Sequence, residues 1–424
     1  MKKTAIGISD IGIYVPRPAL EMTKLMEART LSHPKLIKTL SRAVHKTGQI
    51  SFRFPEPWED TASLAGNSAS VVLDRMPESD VATIRYLSVG TETSIDHAKP
   101  VASYVQGMLR NAGYPLNHSM ATYEMKHACA GGTLALLSAA SMLSYSEELH
   151  DRALAISSDI AHYDAPSTAE ITQGAGAVTL MIEKNPELIE LEMETQGLYS
   201  SDVDDFFRPL GSATAKVKGR YSMECYQVSL EQAFIDYCRR SDRSAADVLD
   251  TTDYVALHVP FAKMPAMALA KMLKSIAGKN ENEIEQFFHK TRFKEALYLN
   301  KTFGNLYSGS LYVYLSALLH QEYKELGEKI VGRRIMIGSY GSGNTMLVFY
   351  GKIAVGAPKV IRNWDIAGLI GSARETCFDE YLHWLARCQD IGAWRNLLEG
   401  AKPHRGCFYL KDFSETGLRI YGRG

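Results

Sequence analysis

Short apolar runs rich in Val, Ile, Leu and Ala recur along this chain, and longer stretches with helical spacing alternate with them. That alternation narrows the fold more than any other feature. A strand apolar on both faces must be covered on both faces, and helices between successive strands supply the cover. Strands are expected over residues 6–15, 86–90, 153–158 and 176–183, the first ending at Pro16. Helices are expected over 64–73, 101–109 and 134–145. Lys184-Asn-Pro186 reads as a seam that divides 1–185 from 186–424. Beyond it, strands are expected over 188–193, 254–259, 334–337 and 347–350, and helices over 222–238, 264–276 and 311–319. The charged, helix-prone segment 280–295 reads as a solvated face or an insertion, and 407–421 as a terminal hairpin. The fold class is α/β with buried sheets.

The bulk properties exclude several partners. The 424 residues suffice for two to three domain-sized units, and the formal net charge of −1 steers the chain to neither nucleic acid nor an anionic membrane. Six cysteines, at 129, 225, 238, 377, 388 and 407, show no CxxC spacing, so neither a zinc site nor a disulfide framework is expected. Met1-Lys-Lys begins like a signal peptide, but Asp10 interrupts the apolar segment. No run of about 18 apolar residues is present. A cytoplasmic protein is expected.

Cys129 lies in Lys126-His-Ala-Cys-Ala-Gly-Gly132, just before an Ala/Leu-rich helical run. Two glycines allow close approach of backbone or substrate, and a helix N-terminus beside the sulfur would favour thiolate, the nucleophilic form. A Cys in an Ala-rich helix is also an ordinary core residue. Glu92 follows the run Tyr86–Gly90, where a carboxylate is either a general base raised by burial or an acid at a helix N-terminus. His258 ends an apolar strand before a Pro turn. It is either a satisfied core histidine or a donor to an acyl oxygen. Lys263 follows it, within reach of an anionic substrate or simply exposed. Asn305 stands between Gly304 and an apolar helix, where it either caps the helix or presents its amide to a carbonyl. Ser339-Tyr-Gly-Ser-Gly343 is a Gly-rich turn that lacks the spacing of a dinucleotide or phosphate loop. Together Cys, Glu, His and Asn supply a nucleophile, a base and a carbonyl polariser, the parts needed for carbon–carbon condensation on a thioester.

With these residues in place the chain resembles the hydroxymethylglutaryl-CoA synthase family of the thiolase superfamily. The resemblance runs from Asp10-Ile-Gly-Ile-Tyr-Val-Pro16 to about Tyr350. It rests on Gly90-Thr-Glu-Thr93, the Cys129 segment, Ser158-Asp-Ile-Ala161, Thr172-Gln-Gly-Ala-Gly-Ala177, Asp205-Phe-Phe-Arg-Pro-Leu-Gly211, His258-Val-Pro-Phe-Ala-Lys-Met264, Gly304-Asn-Leu-Tyr-Ser-Gly-Ser310 and Ser339–Gly343. It implies a five-layer αβαβα thiolase-like fold with two pseudo-equivalent halves, and a homodimer. The N-terminal half would carry the nucleophile and base, the C-terminal half the His and Asn. It implies no cofactor, with acetyl-CoA and acetoacetyl-CoA as substrates. It assigns Cys129 as acetyl carrier, Glu92 as base and His258 as carbonyl polariser, with Thr172, Ser222, Lys263, Asn305 and Ser342 contacting substrate. It further implies a product on the mevalonate route to isoprenoids. The sequence departs from the family at His162, where an Arg is usual, and at His33, where an Asp is common. A carrier-protein-dependent relative of polyketide β-branching shares the triad, but Lys263 and the intact Gly304–Ser310 segment favour the CoA enzyme. A ketoacyl synthase of the Cys-His-Asn type is disfavoured by Glu92, and a non-catalytic scaffold by retention of all three chemical residues.

Overall fold

The computed structural model describes residues 4–387 and 391–424; Met1 to Lys3 and Cys388 lie outside the described residues. Ten strands form one mixed sheet. In chain order they are β1 (Ile6–Tyr14), β2 (Ile84–Gly90), β3 (Ala121–Met125), β4 (Arg152–Ala161), β5 (Gly174–Lys184), β6 (Ile189–Leu191), β7 (Gly197–Ser200), β8 (Tyr254–Leu257), β9 (Arg334–Gly341) and β10 (Thr345–Ile353). The path across the sheet is β8-β9-β10-β6-β1-β5-β4-β2-β3, with β7 on β10. β2 runs parallel to β3 and β4, β8 parallel to β9, and the remaining pairs are antiparallel. The short β6 joins the two parts by pairing with β1 on one side and β10 on the other.

The alternation of side chains along the strands sorts the helices into layers. On β4, Leu154 and Ile156 face one core while Ala153 and Ala155 face another. On β5, Met181 belongs to the first core, and Val178, Leu180 and Ile182 belong to the second. Helices α1 (Thr61–Leu73) and α2 (Val101–Asn111) cover the first face. Helices α3 (Gly131–Ser144) and α6 (Gly309–Leu326) cover the second, and they touch each other through the Thr133 and Tyr312 hydroxyls at 2.8 Å. Tyr254 of β8 reaches α6 by donating to Glu322 at 2.8 Å. On the far face of β9 and β10 lie α4 (Gly219–Arg240) and α5 (Met264–Ala277). The layers therefore alternate helix, sheet, helix, sheet, helix, as the resemblance implies.

Most expected elements are present with longer ends. The helix expected at 134 begins at Gly131, and the strand expected over 188–193 shortens to Ile189–Leu191. The charged segment 280–295 is not simply solvated. Its helix Glu281–Lys290 has an Asn280/Glu283 capping box and buries Ile284, Phe287 and Phe288. The terminal hairpin, Phe408–Phe413 with Arg419–Arg423, clamps α1. Phe408 exchanges backbone hydrogen bonds with the Asn67 amide, and Arg419 and Tyr421 donate to Asp60, the N-cap of α1.

No described helix is long and apolar enough to cross a membrane.

Candidate active site

The chemistry-bearing residues gather where parallel strands end. Glu92 follows β2, Cys129 lies between β3 and α3, and His258 follows β8. Two glycines bring the first two together. A Cβ on Gly90 would lie 2.2 Å from the Gly132 backbone nitrogen, so the end of β2 and the first turn of α3 meet backbone to backbone. Ala128 adopts φ +38°, a conformation L side chains rarely adopt, and this sharp turn presents the next residue. Cys129 Sγ donates to Glu92 Oε1 at 3.5 Å.

The thiol is not poised as thiolate, which corrects the expectation from the helix N-terminus. Burial, followed by the neighbouring Glu92 and Asp159 carboxylates, pushes its pKa well up. Those effects outweigh a dipole whose first turn starts two residues later. Glu92 keeps some surface open, yet its carboxylate is enclosed by protein. Burial and Asp159 push it up to about 8, against an opposing pull from Arg208.

Asp159 was legible only as a residue inside a matching segment, and it organises the base. Its Oδ1 accepts from the Thr91 and Thr93 hydroxyls, both at 2.8 Å, and from the backbone N–H of Glu92 and Thr93 at 2.9 and 3.1 Å. Its Oδ2 is buried and has no partner among the described residues. Burial raises this carboxyl to about 7.

A cavity of about 290 Å³ is lined by Cys129, Thr172, Ser222, His258, Asn305 and Ser342 among others. His258 is buried, with Nδ1 unpartnered among the described residues, and burial lowers it to about 3. Its imidazole is therefore neutral at neutral pH and acts as a neutral donor or acceptor. Asn305 neither caps α6, whose N-cap is Ser308, nor faces bulk water. Its Oδ1 accepts from the Tyr307 N–H at 2.9 Å and the Ser310 hydroxyl at 3.2 Å. Thr172 sits on the 3-10 turn Glu170–Thr172, and Ser222 donates to Asp205 at 3.0 Å. Asp205 is fully buried and also accepts from Tyr340 and the Gly343 N–H, so it pins the Ser342 loop to α4.

Lys263 is exposed, lies outside the cavity lining, and donates to the His45 carbonyl at 2.7 Å beside Lys46 and Thr47 of the cavity wall. Its place is at the rim. His162 is buried edge-on to Trp384, and His33 stands beside the Ser32 hydroxyl. Among the described residues no cluster of three or more His, Cys, Asp or Glu side chains could hold a metal ion.

The sequence profile described as hydroxymethylglutaryl-coenzyme A synthase N terminal matches residues 2–187, and its C-terminal counterpart matches 189–285 and 276–423. The chain is 30% identical over 385 residues to the Hydroxymethylglutaryl-CoA synthase of Enterococcus faecalis, covering 91% of this chain and 92% of that protein. It is 30% identical over 297 residues to the polyketide biosynthesis 3-hydroxy-3-methylglutaryl-ACP synthase PksG of Bacillus subtilis, covering 68% and 67%. Among solved structures it resembles MvaS in complex with 3-hydroxy-3-methylglutaryl coenzyme A, with a TM-score of 0.85, 29% identity and full coverage of both chains. The fold is thus thiolase-like.

Proposed function

The chain belongs to the hydroxymethylglutaryl-CoA synthase family, and from that membership we propose that it condenses acetyl-CoA with acetoacetyl-CoA to give 3-hydroxy-3-methylglutaryl-CoA and CoA. It is an acyl-condensing enzyme. The observation that carries the reading is the hydrogen bond from the Cys129 thiol to the raised carboxyl of Glu92, beside a cavity that also holds neutral His258.

In the first stage Cys129 Sγ attacks the acetyl carbonyl. The carbon–sulfur bond to CoA breaks, and the thiol proton ends on the departing CoA sulfur. Glu92 then takes a proton from the acetyl methyl, and the electron pair moves onto the thioester oxygen. The enolate carbon bonds to C3 of acetoacetyl-CoA, and Glu92 returns its proton to the new alkoxide. His258, neutral and desolvated, donates to the acetoacetyl oxygen as charge develops there. Water hydrolyses the Cys129 thioester, which releases the product and restores the thiol. A carboxyl raised to about 8 is a stronger base than an ordinary one, as abstraction of a methyl proton requires. The sequence of steps uses no resident cofactor.

Incubation with labelled acetyl-CoA and acetoacetyl-CoA tests this. Cys129→Ala should abolish acetylation, whereas Glu92→Ala should acetylate without condensing. Normal condensation by the Glu92 variant sinks the assigned base. Product formed only from acyl groups on a carrier protein sinks the CoA reading.

The reading extends to a division into thiolase-like halves at 1–185 and 186–424, a cytoplasmic homodimer, and a product for the mevalonate route. β3 is an edge strand paired only with β2, beside a groove lined by Met125, Leu134, Leu137 and Leu347, which suits a second copy. Sedimentation at monomer mass counts against the dimer. Failure of mevalonate to rescue cells depleted of the protein counts against the route.

A further inference from the structure

Tyr307 lines the cavity wall and carries two unfavourable features at once. Its backbone sits at φ +48°, a left-handed conformation that a bulky aromatic residue rarely adopts. Its hydroxyl is buried in a side chain only 1% exposed, with no well-aligned hydrogen bond among the described residues and only a loose contact to the Tyr163 hydroxyl. A phenylalanine would pack equally well and leave no orphaned polar atom. The surroundings hold the residue firmly in this arrangement. Asn305 Oδ1 accepts from its N–H, and Phe206 packs edge-on to its ring with centroids 5.9 Å apart. The hydroxyl lies close enough to Glu92, Cys129 and Arg208 to feel their charge, and Tyr163 stands beside it. A polar atom placed there at such cost, and held only loosely by Tyr163, is free to turn to an acceptor that enters with the substrate.

We propose that Tyr307 is a further catalytic residue, whose hydroxyl donates to the carbonyl oxygen of the acyl group carried on Cys129. This role rests on the condensing reaction proposed above. When Glu92 removes the methyl proton, the electron pair moves to that oxygen, and the phenol hydrogen bond strengthens as charge gathers there. No proton leaves Tyr307, whose pKa burial pushes well up. Asn305 then acts through Tyr307 as a positioning residue, in addition to lining the cavity.

The test is Tyr307→Phe beside the wild type, with four readouts. These are acetylation of Cys129 by intact mass, exchange of the acetyl methyl protons with deuterated water, steady-state condensation, and thermal melting. The variant should acetylate, while methyl exchange and kcat fall about 100- to 1000-fold, the scale of losing one donor to a developing oxyanion. KM for acetoacetyl-CoA should hold within about twofold, and Tm should stay level or rise because the orphaned hydroxyl is gone. Exchange and condensation at wild-type rates overturn the role. So does a loss of activity matched by a loss of Tm, which would mark a packing residue. A wild type that neither acetylates nor condenses overturns the reaction itself, and this role with it.

Discussion

Replacing Asp159 with Asn tests whether two buried carboxyls share one charge. Asn has nearly the same shape and keeps an oxygen for the four donors that converge on Oδ1. It removes the like charge that ranks second, after burial, among the causes holding Glu92 at about 8. A neighbouring like charge of this kind moves a carboxyl by roughly 1–2 pH units, which corresponds to about 1.4–2.8 kcal/mol. The Glu92 midpoint should therefore fall from about 8 to about 6–7. At pH 7 its ionised fraction rises from about one tenth to about one half or more. The assay is single-turnover condensation of pre-acetylated enzyme with acetoacetyl-CoA, followed from about pH 5.5 to 9.5. The acid limb of that profile reports Glu92, since neutral His258 does not titrate in the range. A limb that stays near the wild-type midpoint, or moves upward, refutes the coupling and leaves burial as the sole cause. Stability supplies an independent check. Both carboxyls are raised in the folded state, so the folded protein binds their protons more tightly than the unfolded chain. Their contribution is fully present below an ordinary carboxylate pKa and is lost as pH rises through about 7 to 8. In Asp159→Asn that decline in melting temperature with rising pH should be shallower.

Two further variants probe the scaffold. Glu170 is fully buried against Arg29, with oxygens at 3.1 and 2.5 Å, and accepts from the Tyr381 hydroxyl at 2.8 Å. Glu170→Gln strands the guanidinium, and urea unfolding should show a loss of about 3–5 kcal/mol; a loss below about 1 kcal/mol would mean the pair is not load-carrying. Gly90→Ala drives a methyl to 2.2 Å from the Gly132 nitrogen, where only backbone could yield. It should cost several degrees of Tm and separate Cys129 from Glu92, so unaltered melting with full condensation would contradict the close packing.

Continuous apolar runs and 3.6-period hydrophobicity made most of the sheet and its covering helices legible, because both faces of β4 and β5 are buried and admit few polar residues. Local pattern failed where contacts are distant. The helix Glu281–Lys290 looked solvated because its charges outnumber the three apolar residues that pack inward. Lys263 follows His258 closely in sequence, yet the turn into α5 places it at the cavity rim rather than in the wall beside His258.

Cys129, Glu92, His258 and Asn305 were identified from residue type, element ends and family motifs, since a strand end or helix start is a local property. Their ionisation was not. A helix N-terminus beside sulfur argued for thiolate, whereas the folded site raises thiol and carboxyl together. Protonation depends on desolvation and on charges brought from distant segments, such as Asp159, 67 positions beyond Glu92, and Asp205 beyond that. The sequence determined which groups are present and which layers carry them. Only the tertiary structure decided which charges they face and how little water reaches them, because electrostatic free energy is set by distance and burial in space rather than by order along the chain.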